Sequence, residues 1–444
     1  MNLSKIDLSE AIAILLARGE PLTAAQLAAS TGKSQPSVST AIKALGERVH
    51  RMGAARSTRY ALKKDILGLP AQQSIVWTDA QGQPAEFGPL THLQGKWLHV
   101  QHKQRAWLTQ GLPWFLLPIR PQGYLGRQLA HSIASFPANP EDWSDAQVLY
   151  AITQQAVDCT GAIHIGHRSP GIAKAKPVLG AEDAELLVQF EALAKQDTAQ
   201  PRAQSSAGGE QPKFAVAYAG EQTVHHLVKF SPPNDTPFGS RWRAMLMLEH
   251  LANEVLASQQ IACARTQIFT GDVRTFLSSE RFDRYGTHGK SHVVAIAAVH
   301  QELVGGSWQN WLATGEALAN LGMITTQELK VIASIFAFGK YIGNTDMHSG
   351  NLAFFVDEVI KPKIRLAPVY DMLPMMWKPD PHHGLNDSPV REQFMQAGFE
   401  LEKEQARMWA IEFWERASKL DIGADLQAAS RESARRLQTN FADV

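Results

Sequence analysis

Gly343-Asn344-Thr345-Asp346-Met347-His348-Ser349-Gly350-Asn351, with Val369-Tyr370-Asp371 beginning eighteen residues further on, is the stretch that decides how this chain is read. An aspartate can take the proton of a substrate hydroxyl. An asparagine five residues later can offer its amide oxygen to a magnesium ion, and a second aspartate downstream can bridge metal and nucleotide phosphates. Asp346, Asn351 and Asp371 follow that order, which is the spacing used in phosphoryl transfer. The spacing alone is common, and an Asn-Thr-Asp run is equally the mark of a side-chain-capped turn. The catalytic reading therefore requires a phosphate loop, a lysine and an adenine slot upstream, in that order.

Candidates for all three follow in that order. Ser205-Ser206-Ala207-Gly208-Gly209-Glu210-Gln211-Pro212-Lys213 places adjacent glycines where a backbone can approach phosphate, with Lys213 as a point charge. It is neither a P-loop nor Gly-x-Gly-x-x-Gly, and a hairpin turn would read the same way. Two alternating strands follow, 214–218 and 224–230. Lys229 lies in the second, where an ammonium needs a partner. A helix over 241–258 offers Glu249 or Glu254 as that partner, and the sequence does not choose between them. A strand from Thr275 runs into Glu280-Arg281-Phe282-Asp283-Arg284, whose backbone at Glu280 and Phe282 could face adenine at a hinge. Downstream, a helix over 327–339 should lead into the 343–351 loop, and a strand over 366–371 should end on Asp371.

The first 65 residues have a different character. Apolar spacing predicts a helix over 8–18, a second over 24–30 capped by Thr23 and stopped at Gly32, and a third from Ser34 to Leu45. The third leaves Gln35, Ser37, Ser39, Thr40 and Lys43 outward, short polar groups suited to phosphates and base edges. A hairpin over 49–62 carries Arg56 at its tip and Arg59 on its return. Between Lys33 and Lys64 there are 8 Lys/Arg against one acid, Glu47, an electrostatic footprint for a phosphate backbone. The arrangement resembles the winged helix-turn-helix of bacterial regulators.

Composition bounds the rest. A chain of 444 residues suggests two to four domains, and 43 basic against 43 acidic residues leave no overall nucleic-acid signature. Two cysteines, Cys159 and Cys263, have no ligand spacing and suit a reducing cytoplasm. No secretory signal pattern opens the chain, and its most apolar run, 112–119, is too short to span a bilayer. The expected location is cytoplasmic, without membrane partners. His382 and His383 sit beside acids but lack tetrahedral metal spacing.

Taken together, the Ser-bearing loop, His226-Leu227-Val228-Lys229, Glu280-Arg281-Phe282-Asp283-Arg284, the 343–351 loop and Tyr370-Asp371 resemble the HipA family of bacterial serine/threonine kinases, toxins of HipBA-type toxin–antitoxin systems. The resemblance covers residues 70–430. It implies an α+β, bilobal, protein-kinase-like body, here with an all-α, winged-helix DNA-binding domain in front. The expected domains are 1–65 (DNA-binding), 66–140 (N-terminal subdomain), 141–285 (N-lobe) and 286–444 (helical C-lobe). It implies ATP and Mg2+ as cofactors and Asp346 as catalytic base. Gly208, Gly209, Glu210, Gln211, Lys213, Lys229, Glu280, Arg281, Phe282, His348, Asn351, Tyr370 and Asp371 would hold ATP, and Asn351 and Asp371 the metal. Ser206, with Ser205 beside it, would be the autophosphorylated serine that silences the enzyme. Partners would be a protein substrate such as an aminoacyl-tRNA synthetase, double-stranded DNA through residues 1–65, and an antitoxin, with a homodimer on DNA left open. Two departures stand out: the loop has one extra residue before its lysine, and Gly350 stands where the family often has lysine. Two other readings remain, a transcriptional regulator whose kinase-like body only senses a nucleotide or partner, and a small-molecule kinase.

Overall fold

The N-terminal helices form where their caps place them. The computed structural model describes residues 7–154, 158–166, 178–180, 183–199, 211–380, 382, 384–391 and 397–439. Helix α1 (Leu8–Leu16) is followed by a short strand β1 (Leu22–Thr23) and by α2 (Ala24–Thr31). Thr23 and Gln26 form a reciprocal capping box, and Gly32 closes α2 at φ +67°. Ser34 caps α3 (Gln35–Ala44), and β2 (Val49–Met52) and β3 (Arg59–Leu62) form the hairpin. The strands pair in the order β1-β3-β2, over a core of Ile12, Leu16, Leu27, Val38 and Ile42.

The next unit is built on a five-stranded antiparallel sheet. Its strands are β4 (Gln72–Thr78), β5 (Pro84–His92), β6 (Trp97–His102) and β7 (Arg105–Gln110), followed by helices α4 (Gly123–His131) and α5 (Asp145–Gln154) and a returning strand β8 (Ile163–Ile165). The order is β7-β6-β5-β4-β8. Pro84, Gly88 and Pro89 would ordinarily argue against a strand at β5. Pro84 takes the first position. Gly88, at φ +146°, sits at a register shift where a Cβ would lie 2.0 Å from the Gln101 carbonyl oxygen. Pairing with β6 starts only at Leu90, past Pro89. The sheet also moves the expected boundary at 140. Ile163–Ile165 pairs with β4, so the unit runs to about residue 165 rather than ceding that strand to the lobe that follows.

The N-terminal unit is docked on this sheet. Met52 and Ala61 pack on Leu93, with Trp97 and Leu108 alongside. The imidazoles of His50 and His99 share a hydrogen bond of 2.9 Å across the contact. The backbones of Gly19 and Gly95 meet so closely that a Cβ on Gly95 would lie 2.1 Å from the Gly19 oxygen.

The rest of the chain has two parts. In the first, β9 (Val178–Leu179), α6 (Asp183–Ala199), β10 (Lys213–Tyr218), β11 (Val224–Phe230), α7 (Pro237–Ser258), β12 (Thr266–Thr270) and β13 (Thr275–Glu280) give a sheet of order β12-β13-β11-β10-β9. Its core includes Phe190, Val216, Val228, Phe230 and Phe276. A small hairpin, β14 (Arg284–Tyr285) and β15 (Gly289–Lys290), leads through β16 (Val293–Ala295) and α8 (Ile296–Val299) into the second part. There α9 (Trp311–Asn320) and α10 (Thr326–Tyr341) precede β17 (Ala353–Glu358) and β18 (Lys363–Leu366), and α11 (Glu400–Ala417) and α12 (Ala424–Thr439) close the chain. Phe338, Trp377, Phe413 and Trp414 are fully buried among these helices. Among the described residues no helix is long and apolar enough to cross a membrane.

Candidate active site

Lys229 is where the two parts meet. Its antiparallel register sets Lys213 of β10 opposite it. Its ammonium lies 2.7 and 2.8 Å from the two carboxylate oxygens of Glu249 on α7 and also bonds Asp371. The structure thus chooses Glu249 over Glu254, which is exposed on the other side of α7 and pairs with Arg416. Burial by itself would lower the Lys229 pKa, but the charges of Asp371 and then Glu249 outweigh it, so the group sits above its usual value. Two carboxylates share one ammonium, and they divide. Burial raises Glu249 despite Lys229, whereas Lys229 and Lys213 together overcome burial at Asp371 and hold it below the usual carboxylate range.

Asp371 does not end a strand, contrary to the 366–371 expectation. Strand β18 stops at Leu366. Beyond it Val369 makes a single bridge to Cys263, and Asp371 adopts φ +53°. Left-handed backbone is unfavourable for a residue with a Cβ, and it turns the carboxylate toward Lys229.

The loop after α10 presents the other half. Gly343 turns at φ +70°, its oxygen accepting from the Met376 N–H. Asn344 is buried, and its side-chain oxygen accepts from the Asp346 N–H at 3.0 Å. The Asn-Thr-Asp run is thus the capped turn, and that turn is what displays Asp346, whose side chain is half exposed. The Asn351 amide nitrogen donates to the Asp346 carbonyl at 2.9 Å. His348 lies 3.9 Å from the Asp346 carboxylate, its Nδ1 accepting from Gly350 N–H, and Trp311 Nε1 donates to its carbonyl. A Cβ at position 350 would stand 2.6 Å from the His348 ring, so the histidine fills the space a side chain there would need. Tyr370 donates to the Gly350 carbonyl at 2.6 Å, tying the approach to Asp371 to the 343–351 loop.

The hinge differs from expectation in one residue. The Glu280 N–H donates to Arg265 and the Arg281 N–H to His225. Phe282 and Tyr370 face each other with ring centroids 5.9 Å apart, forming one wall. The Arg281 guanidinium is not free for nucleotide. It is buried against Asp283 and Asp158, and Arg284 joins the same cluster. Asp158 lies 123 residues before Arg281, so nothing in the local sequence signals the pairing. Gln211 and Lys213 are half-buried at the start of β10. Ser205, Ser206, Gly208, Gly209 and Glu210 lie outside the described residues. On α3, Gln35, Ser37, Thr40 and Lys43 are exposed and Ser39 partly so; Arg59 is exposed on β3, and the Arg56 side chain lies outside what is described. Docking on the middle sheet uses Met52, Ala61 and His50 and leaves these groups open.

A fold of this kind, with a lysine between two carboxylates and an Asp-x-x-x-x-Asn loop tied to it through Tyr370, is kinase-like, and the comparisons give it a family. The profile of the HipA-like C-terminal domain matches residues 205–442. The chain belongs to the HipA-like toxin family. Within it, the profile of the middle domain of YjjJ-like toxins matches residues 69–171, close to the limits of the five-stranded sheet unit. The chain is 35% identical over 392 residues to Toxin YjjJ of Escherichia coli (strain K12), covering 86% of each. Its fold resembles a chain of the Shewanella oneidensis MR-1 complex of HipA, HipB and operator DNA, with a TM-score of 0.50 at 14% identity over 82% of this chain and 95% of that one.

Proposed function

We propose that the chain is an ATP- and Mg2+-dependent protein serine/threonine kinase whose N-terminal unit binds double-stranded DNA. The observation that carries the proposal is Lys229 held between Glu249 and Asp371, opposite a loop that displays Asp346 and Asn351. Asp346 would accept or orient the proton of the substrate hydroxyl. Lys229 and Lys213 would neutralise phosphate charge, and Phe282 and Tyr370 would flank the base. Positioning and charge complementarity of this kind account for most of the catalysis in phosphoryl transfer.

The donor set suits magnesium. The oxygens of the Asp371 carboxylate and the Asn351 amide are hard ligands, and Mg2+ is ordinarily held by one or two carboxylates together with phosphates and water. When bound, it would neutralise charge on the transferred phosphate.

The exposed polar face of α3 and the basic hairpin support DNA binding by a winged helix-turn-helix, with salt-sensitive affinity. An antitoxin, a homodimer on DNA, a translation component as target, autophosphorylation at Ser206 or Ser205 and a cytoplasmic location complete the proposal by family likeness. Calorimetric titration with ATP tests it. Mg2+ should tighten binding to the wild type and have little effect on Asp371→Asn. Absence of any nucleotide binding would overturn the proposal. The regulator reading predicts nucleotide binding that changes DNA affinity without phosphate transfer.

A further inference from the structure

A second cavity, of about 450 Å³, lies in the C-terminal part. None of its lining residues belongs to the site described above. It sits between the end of α7, the helix that carries Glu249, and α10, the helix that runs into Gly343, with α11 as its third wall. By helical spacing Gln327, Lys330 and Ser334 share one face of α10. From α11 come Glu402, Gln405 and the half-buried indole of Trp409.

Glu402 is the informative residue. It is only 7% exposed, and its cation, Lys330, stands 4.0 Å away with half its own side chain in solvent. The first turn of α11 favours a negative charge there. The pair is loose, at the outer limit of ion-pair distance, so both charges remain available to a ligand in the cavity.

The cavity therefore carries one positive and one negative charge side by side, amides that can donate or accept, and an aromatic wall. A simple cation would be repelled by Lys330 and a simple anion by Glu402. A molecule carrying both charges close together satisfies both. We propose that this cavity binds a small zwitterion of the α-amino-acid class with an apolar side chain. Its ammonium donates to Glu402, its carboxylate accepts from Lys330 and a glutamine amide, and its side chain lies on Trp409. The volume falls in the range of small-molecule sites, roughly 300–1,000 Å³.

The test is calorimetric titration of the full chain with the proteinogenic L-amino acids. The tightest binder is then compared with its decarboxylated amine and its deaminated acid, and with Glu402→Gln and Lys330→Met. The expected result is saturable binding of an apolar amino acid, weakened at least about tenfold by loss of either ligand charge or by either substitution. The proposal is overturned if no amino acid saturates, if amine or acid alone binds as well, or if both variants bind like the wild type. Should Glu402→Gln fail to fold, Lys330→Met at its half-exposed position decides the matter alone.

Discussion

Replacing Asp283 by asparagine should cost the kinase-like body a large part of its stability. The Asp283 carboxylate is 5% exposed and accepts four hydrogen bonds: Arg281 Nε at 3.0 Å, Arg281 Nη2 at 2.9 Å, Arg284 Nη1 at 2.8 Å and Gly161 N–H at 2.9 Å. Asparagine keeps the shape and removes the charge. Two guanidinium groups, with side chains 7% and 3% exposed, are then left with Asp158, whose own carboxylate is 22% exposed. Breaking one partner out of a buried ion cluster costs about 3–5 kcal/mol, against roughly 5–15 kcal/mol for a whole domain. Urea unfolding followed by tryptophan fluorescence is a suitable assay, since Trp77 lies 4.8 Å from His292, whose Nδ1 accepts from Ala162 beside the cluster. The midpoint should fall with little change in slope, while Glu432→Gln at the exposed pair with Arg435 and Arg436 should leave it in place. A loss below about 1 kcal/mol, the range of a surface pair, would refute the reasoning. The sign with pH is also fixed. Burial pushes Asp283 up, but Arg281 and Arg284 outweigh it and hold its carboxyl far below the ordinary range. Its contribution is complete above about pH 4 and is lost as the solution is acidified further.

Docking of the N-terminal unit should weaken in mild acid. Burial, then His99 and Lys63, lower His50 to about 4, and burial also lowers His99, so both are neutral when docked. Because the undocked His50 takes up protons near its ordinary value, docking stability is full above about pH 6.5 and declines below it. Hydrogen exchange of β2 and β6 at pH 7.5 and pH 5.5, roughly a unit either side of that value, should show the loss, and equal protection would contradict it. Gly95→Ala should loosen the same contact by more than about 2 kcal/mol, since it adds a Cβ against the Gly19 oxygen at a backbone φ of +74°. Faster proteolytic release of residues 1–65 is the readout, and wild-type resistance the contrary result. Asp371→Asn should remove the effect of Mg2+ on ATP affinity, as measured by titration.

The turn at 343–351 was legible in the sequence because its parts are contiguous. Asp346, Asn344 and Asn351 organise one another through bonds spanning five residues or fewer. Lys229 was legible because a lysine in an apolar strand demands a partner, but the partner was not. Choosing Glu249 over Glu254 requires knowing which side of α7 turns inward, and both sides carry apolar groups. The ion pairing of Arg281 was not legible because Asp158 meets it only through the tertiary fold. Strand β5 hid behind two prolines and a glycine, each at a position where its backbone fits. A strand over 366–371 was expected because Leu366 to Val369 is an unbroken apolar run, whereas β18 ends at Leu366. Contact between the first unit and the middle sheet had no local signal. His50 and His99 are 49 residues apart and look ordinary in their own strands.

The central claim is that Asp346 serves phosphoryl transfer from ATP to a protein hydroxyl. Its most direct test is to incubate the full chain and its Asp346→Asn variant with radiolabelled ATP, Mg2+ and cell extract. The labelled residues are then identified by mass spectrometry. The account predicts label on serine or threonine with the wild type, and loss of label in the variant by at least about a hundredfold with ATP affinity preserved. Equal labelling by the variant, or a wild type that binds ATP and transfers nothing, would contradict it.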